Sequence, residues 1–274
     1  MSEFDGATGK IHYDHWEPEE PRALVVFFHG LGEHIGSYRP LAETLNAAGF
    51  ALWASDHLGH GLSEGVRVLI NRVDDLVDDA EHLLRLARAA HPDLPVILAG
   101  HSLGSAVVTM LTAERLLPNG FTPAGLVLAG SSLMPVDAAG GLAKVIASGI
   151  DLMELRKDPI ELTRDEAYAR QIREDPLTWD GGIRLETITA LTEGRARLEA
   201  VVESGALTLP VLLLHGEEDD LAPAEDARQA ANLLPNARAV IFPLDRHNIL
   251  NEIDRDAVYT VLVDFVRSAT AEVP

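Results

Sequence analysis

The chain reads as an α/β protein: a mostly parallel sheet with helices on both faces and an inserted helical cap. Three observations predict this. Short apolar runs, of the kind buried on both faces of a parallel sheet, alternate with helical patterns on either side of a middle block. That block, residues 131–206, carries helical patterns, Gly140-Gly141 and two Asp-Pro pairs, with no readable buried strand. It is too long for an ordinary connection and reads as an insertion over one end of the sheet. The domain reading is residues 1–130 and 207–274 as the sheet core, and 131–206 as cap or lid.

The elements follow in order. Residues 23–28, ALVVFF, are the first clear strand. A Gly-containing turn, HGLGEHIGS, leads into a helix over about 38–48, which Gly49 stops. Residues 50–54 form a second short strand. Between 73 and 90 the apolar positions Val73, Leu76, Val77, Ala80, Leu83, Leu84, Ala87 and Ala90 step by three or four, an amphipathic helix. Residues 95–99 are a third strand, 103–117 an almost wholly apolar helix, and 125–129 a fourth strand. Beyond the middle block come a strand at 211–214, a helix over 223–234 and a strand at 237–242. Val258, Val261, Leu262, Phe265 and Val266 mark a last amphipathic helix.

Composition narrows the chemistry. A hydrophobic fraction of 47% over 274 residues is ample for a buried core. The net charge, 22 − 43 = −21, repels phosphate backbones and argues against a nucleic-acid partner. It likewise gains nothing from an anionic lipid leaflet. The absence of cysteine removes disulfides, thiolate nucleophiles and Cys-liganded zinc. The start, MSEFDGATGK, lacks the apolar core of a signal peptide, and no apolar run approaches the roughly 20 residues of a membrane span. The expectation is a soluble, cytoplasmic protein without integral membrane contact, its oligomeric state open.

The strongest chemical signal is Gly100-His101-Ser102-Leu103-Gly104, directly after the strand PVILA and opening the apolar helix. This is the strand–turn–helix setting of a nucleophile elbow, which lifts the Ser102 hydroxyl out of the sheet. The backbone N–H of Leu103, at the helix N-terminus, then points at a developing oxyanion. A serine hydroxyl needs an adjacent base, itself oriented by a carboxylate, and on such an elbow the chain order is Ser, acid, His. Only His247, in FPLDRHNILNE, lies beyond the 211–214 strand and its acidic loop. Within HGEEDDLAP, Asp219 is the expected acid and Asp220 the fallback, the other acids reading as solvated loop. The backbone N–H of Leu31, in the loop after the first buried strand, is the second oxyanion donor, and His29 reads as structural. In DHLGHGLSEG the His57/His60 spacing suggests a metal only weakly, because two glycines break the helix that would align the ligands. That stretch reads instead as a rigid hydrogen-bonded loop beneath the site, with no metal and no organic cofactor required.

HGLGEH, DHLGHGLSEG, GHSLG, LHGEEDDLAP and RHNILNE, in that order, resemble the α/β-hydrolase superfamily over about residues 23–265. More narrowly they resemble its monoacylglycerol lipase and lysophospholipase branch, also described as serine aminopeptidase-like hydrolases. The resemblance implies the α/β-hydrolase fold, a Ser102–Asp219–His247 triad, an oxyanion hole from Leu31 and Leu103, and a helical cap. Asn248 and Ser105 depart from the family pattern, where Glu and Gly are common. The implied reaction is two-step acyl transfer on a small ester with an apolar acyl chain, monoacylglycerols or similar neutral monoesters first. Lysophospholipids and aryl or phthalate monoesters are alternatives; an aminopeptidase or a non-catalytic binding module ranks lower. In the insertion, Leu142, Val145, Ile146, Ile150 and Met153 either line an acyl tunnel or pack on the core, and transient contact with a lipid interface stays open.

Overall fold

The computed structural model describes residues 2–133, 151–154 and 158–271. It opens with an antiparallel hairpin, β1 (Ser2–Asp5) and β2 (Lys10–Trp16), which precedes the first strand expected from the sequence. The signal was weak because the hairpin is short and half-exposed; Ile11 and Phe4 are its buried apolar anchors. The strands β3 (Leu24–Phe28), β4 (Ala51–Ser55), β5 (Val96–His101), β6 (Gly125–Ala129), β7 (Val211–Gly216) and β8 (Ala237–Phe242) follow. All eight form one sheet in the order β1-β2-β4-β3-β5-β6-β7-β8, parallel from β4 to β8 and antiparallel at the hairpin edge.

The continuous apolar runs have a physical reason: both faces of the sheet are covered. In β3, Leu24, Val26 and Phe28 face one core and Val25 and Phe27 the other. Helices α1 (Arg39–Ala47), α2 (Val73–Ala90) and α3 (Leu103–Met110) alternate with the first strands; α4 (Glu166–Glu174), α5 (Leu185–Glu203), α6 (Ala224–Leu233) and α7 (Arg255–Thr270) come later. Leu41 and Leu45 of α1 pack with Leu262 and Phe265 of α7 on one face. Leu76 and Leu83 of α2, Val107 of α3, Leu198 of α5 and Ala227 of α6 pack on the other. The apolar helix expected to run to 117 holds α pitch only to Met110, and Leu111–Leu116 widen to π pitch. Two threonines bond back to carbonyls four residues earlier there, Thr109 to Ser105 and Thr112 to Val108.

Between β6 and β7 the described residues contain no strand, only the short 3₁₀ turns Leu152–Glu154 and Pro159–Glu161 and helices α4 and α5. Arg197 of α5 pairs with Asp74 of α2 and Glu114. Residues 160–164 are fastened to the loop after β8. The Asn248 N–H donates to the Leu162 carbonyl (2.8 Å), Thr163 Oγ1 to the Asn251 carbonyl (3.0 Å), and the Arg164 guanidinium lies among Asp245, Glu252 and Asp254. No helix among the described residues is long and apolar enough to cross a membrane.

Candidate active site

Ser102 stands between β5 and α3 with φ 48° and ψ −111°, a region a side chain with Cβ enters only under strain. The flanking glycines make that turn possible. A Cβ on Gly100 would come within 2.2 Å of the Gly104 carbonyl carbon, and one on Gly104 within 1.9 Å of the Phe28 carbonyl oxygen. The turn is pinned by the Ser102 N–H on the Ala129 carbonyl (2.8 Å), while Ser105 Oγ donates to the Gly100 carbonyl (2.8 Å). The hydroxyl at position 105 thus serves the elbow itself.

The structure brings Ser102, His247 and Asp219 together from the carboxyl ends of β5, β8 and β7. Ser102 Oγ lies 3.0 Å from His247 Nε2, and His247 Nδ1 lies 2.8 Å from Asp219 Oδ2. A carboxylate only accepts, so Nδ1 carries the proton and the Nε2 lone pair faces the serine hydroxyl. Asp219 is buried, whereas Glu217, Glu218 and Asp220 are exposed, and of the four it is Asp219 that meets His247. Burial by itself would raise the Asp219 pKa. Its interaction with the His247 ring, together with hydrogen bonds from the His215 and His247 rings and the Ala222 N–H, outweighs this and holds Asp219 well below the usual carboxylate range. Its other oxygen accepts from Leu221 and Ala222, each at 2.9 Å, so the carboxylate cannot swing away from His247.

Leu103 is the first residue of α3, where a backbone N–H has no acceptor within the helix. Leu31, half-buried, lies in the loop after β3. With Gly30, Gly32 and His247 it lines a cavity of about 90 Å³, whose lining also includes Tyr168 and Trp179. Of the five insertion residues, Leu142, Val145, Ile146 and Ile150 lie outside the described residues. Met153 is half-buried in the Leu152–Glu154 turn, packed on Gly182, and is not a wall of that cavity.

Sequence reasoning missed a buried charge pair behind the serine. His101 places Nδ1 2.9 Å from Glu33 Oε2 and Nε2 3.0 Å from the carbonyl oxygen of His247. Both partners accept, so both ring nitrogens are donors and His101 is an imidazolium. Burial opposes its charge, but Glu33 overcomes this and raises the pKa. Glu33 correspondingly falls to about 2: burial pushes it up, and His101, the Tyr38 hydroxyl (2.5 Å) and the Gly30 N–H (2.6 Å) pull it down further. The acid of HGLGE and the histidine before Ser102 were the available signal, but nothing local says that they meet.

His57 and His60 are both buried, with ring nitrogens turned to the carbonyls of His29 (3.0 Å) and Leu58 (3.0 Å). His29 accepts the His57 N–H on Nε2 and places Nδ1 on the Gly30 carbonyl, a structural role. Asp56 ties the loop by accepting from Ile35 and Leu62, each at 2.8 Å. Among the described residues, the group with metal-ligand spacing is Asp245, Glu252 and Asp254, where Arg164 already supplies the positive charge.

Comparison with known proteins gives the family and the fold. A family model for serine aminopeptidase, S33, matches residues 19–254. The chain is 31% identical to the monoacylglycerol lipase of Mycolicibacterium smegmatis, over 97% of this chain and 96% of that one. It is 33% identical to the monoglyceride lipase of Homo sapiens, over 78% and 71% of the two chains. Among solved structures, the monoacylglycerol lipase of Paleococcus ferrophilus superposes with a TM-score of 0.77 at 26% identity, covering 94% of this chain and 99% of that one. A soluble variant of the monoglyceride lipase of Saccharomyces cerevisiae, solved with a substrate analog, gives 0.83 at 18% identity over 98% and 95%, a likeness of fold.

Proposed function

The chain belongs to the family of hydrolases described as serine aminopeptidase, S33, with the α/β-hydrolase fold, and on that premise we propose the following chemistry. It is a serine carboxylic-ester hydrolase acting on monoacylglycerols or similar neutral monoesters. Ser102 is the nucleophile, His247 the general base and acid, and Asp219 the group that fixes the imidazole tautomer. As His247 Nε2 takes the Ser102 proton, Oγ attacks the ester carbonyl. The oxyanion is held by the Leu31 and Leu103 N–H groups. His247 then protonates the leaving alcohol, and water repeats the sequence on the acyl-enzyme.

The observation that carries this reading is the unbroken hydrogen-bond chain from Ser102 Oγ through His247 to Asp219, at 3.0 and 2.8 Å. The insertion reads as a cap, supported by the Trp179 N–H on the Gly32 carbonyl, which seats its described part against the loop after β3. The acidic surface favours neutral esters over anionic lipids, and the lipases among the relatives point the same way. No cofactor is needed, and the fold presents no case for a nucleic-acid partner.

A fluorophosphonate probe with mass mapping tests the nucleophile: Ser102 is the labelled residue, and Ser102→Ala lowers kcat by about 10⁴ or more. Labelling elsewhere, or full activity in the variant, refutes the assignment. A panel of monoacylglycerols, lysophospholipids, aryl monoesters and aminoacyl amides then ranks substrates. A kcat/KM maximum on amides overturns the ester reading.

A further inference from the structure

The oxyanion loop, residues 29–33, is not part of any helix or strand, and one of its two sides is held by the insertion. The Trp179 N–H donates to the Gly32 carbonyl at 2.8 Å. The approach is close: Gly32 has φ 81°, and a Cβ there would lie 2.9 Å from the Trp179 carbonyl oxygen. Two residues beyond Gly32, His34 Nε2 lies 3.0 Å from Asp175 Oδ2. His34 Nδ1 accepts the Gly36 N–H (3.2 Å), capping the Ile35–Tyr38 turn, so the ring proton is on Nε2 and is donated to Asp175.

Asp175 serves both contacts. It ends α4, with its N–H on the Gln171 carbonyl (2.9 Å), and then builds the turn that follows. Oδ1 accepts from Leu177 (2.9 Å) and the carbonyl accepts from Thr178 (3.1 Å), which delivers the Trp179 N–H to Gly32. One side chain therefore shapes the turn with one oxygen and grips His34 with the other. A preset donor is what makes an oxyanion hole effective, because an N–H that must first be ordered returns less to the transition state.

We propose that Asp175 is a positioning residue for the oxyanion hole, acting through His34 and through the 175–179 turn on Gly32, so that the insertion sets the direction of the Leu31 N–H. This rests on the reading of Leu31 as an oxyanion donor. The role belongs to the transition state, so its loss lowers kcat and leaves substrate affinity alone.

The test compares wild type with Asp175→Asn and Asp175→Ala, measuring kcat and KM on a monoacylglycerol and Ki for an alkyl boronic acid that mimics the tetrahedral adduct. The asparagine keeps an acceptor for Leu177 but turns an N–H towards His34, so the grip is lost with the turn intact. The expected result is a kcat loss of about ten- to a hundredfold, KM within about twofold, and a boronate Ki that rises by the same factor as kcat/KM falls. A KM rise with unchanged kcat, an unchanged boronate Ki, or no kinetic effect in the folded asparagine variant overturns the proposal. Should the alanine variant fail to fold, the asparagine variant decides. Wild type that neither labels at Ser102 nor binds the boronate would refute the underlying site instead, a result distinguishable from failure of the Asp175 variants alone.

Discussion

At Ser102 the backbone φ of 48° is a cost that the surrounding structure enforces, on the order of 1–3 kcal/mol for a residue with a Cβ. Glycine removes that cost and alanine does not. Ser102→Gly is therefore expected to be more stable than Ser102→Ala by about 1 kcal/mol in urea unfolding, with both inactive. Equal stabilities would mean that the elbow is unstrained. The Ser102 turn was legible in the sequence because its requirements are contiguous: a strand, two glycines and a helix within a few residues. The carboxylate that meets His247 was legible only as a set, Glu217 to Asp220. Burial singles out Asp219, which faces His247 at 2.8 Å while its neighbours meet solvent.

At the scale of elements, the elbow holds α3 against β3. The absent side chain of Gly104 lets the helix backbone rest on the Phe28 carbonyl, and backbone does not yield as a side chain can. Gly104→Ala should therefore separate α3 from the sheet and cost about 3 kcal/mol or more, read as a lowered Tm together with lost Ser102 labelling. A variant with native Tm would show that the contact relaxes freely. The helix and buried strand positions were readable because their periods repeat over many residues, as in α2, which spans Val73–Ala90 as expected. The β1–β2 hairpin was not readable. It is an edge, polar on its outer side, and its stability comes from pairing with β4 and from the Ala7 N–H on Asp79 of α2 (2.7 Å).

For the whole molecule, buried carboxylates and buried histidines together set how stability follows pH. Burial raises Asp79 from 3.8 to about 6, against the Ala7 hydrogen bond and with help from Asp75 and Asp78. Asp245 rises to about 7, by burial and then by Asp254 and Glu252, with Arg164 opposing. Both hold their protons to higher pH in the folded than in the unfolded chain, so their contribution is full below about pH 4 and is lost as pH rises through 6 to 7. Glu33, lowered from 4.5 to about 2, works in the opposite sense and is lost as pH falls from 4.5 towards 2. The net charge of −21 adds self-repulsion towards high pH. The buried His29, His57 and His60, whose pKa values burial lowers, are charged on unfolding and work the other way below about pH 6.5. Asp79→Asn isolates the carboxylate share: the variant should lose less Tm than wild type between pH 5 and pH 7, and an identical pH dependence contradicts this account.

By itself the sequence determined the strand–helix alternation, the strand–turn–helix around Ser102 and the family the chain belongs to. These rest on short-range patterns that a few neighbouring side chains fully specify. Tertiary structure decided which carboxylate reaches His247, and that His101 pairs with Glu33 across 68 residues and His34 with Asp175 across 141. Such partners meet only after a parallel sheet has brought its carboxyl ends to one edge and residues 160–179 have packed against the loops there. Their identity lies in the register and packing of distant segments, which no local pattern encodes.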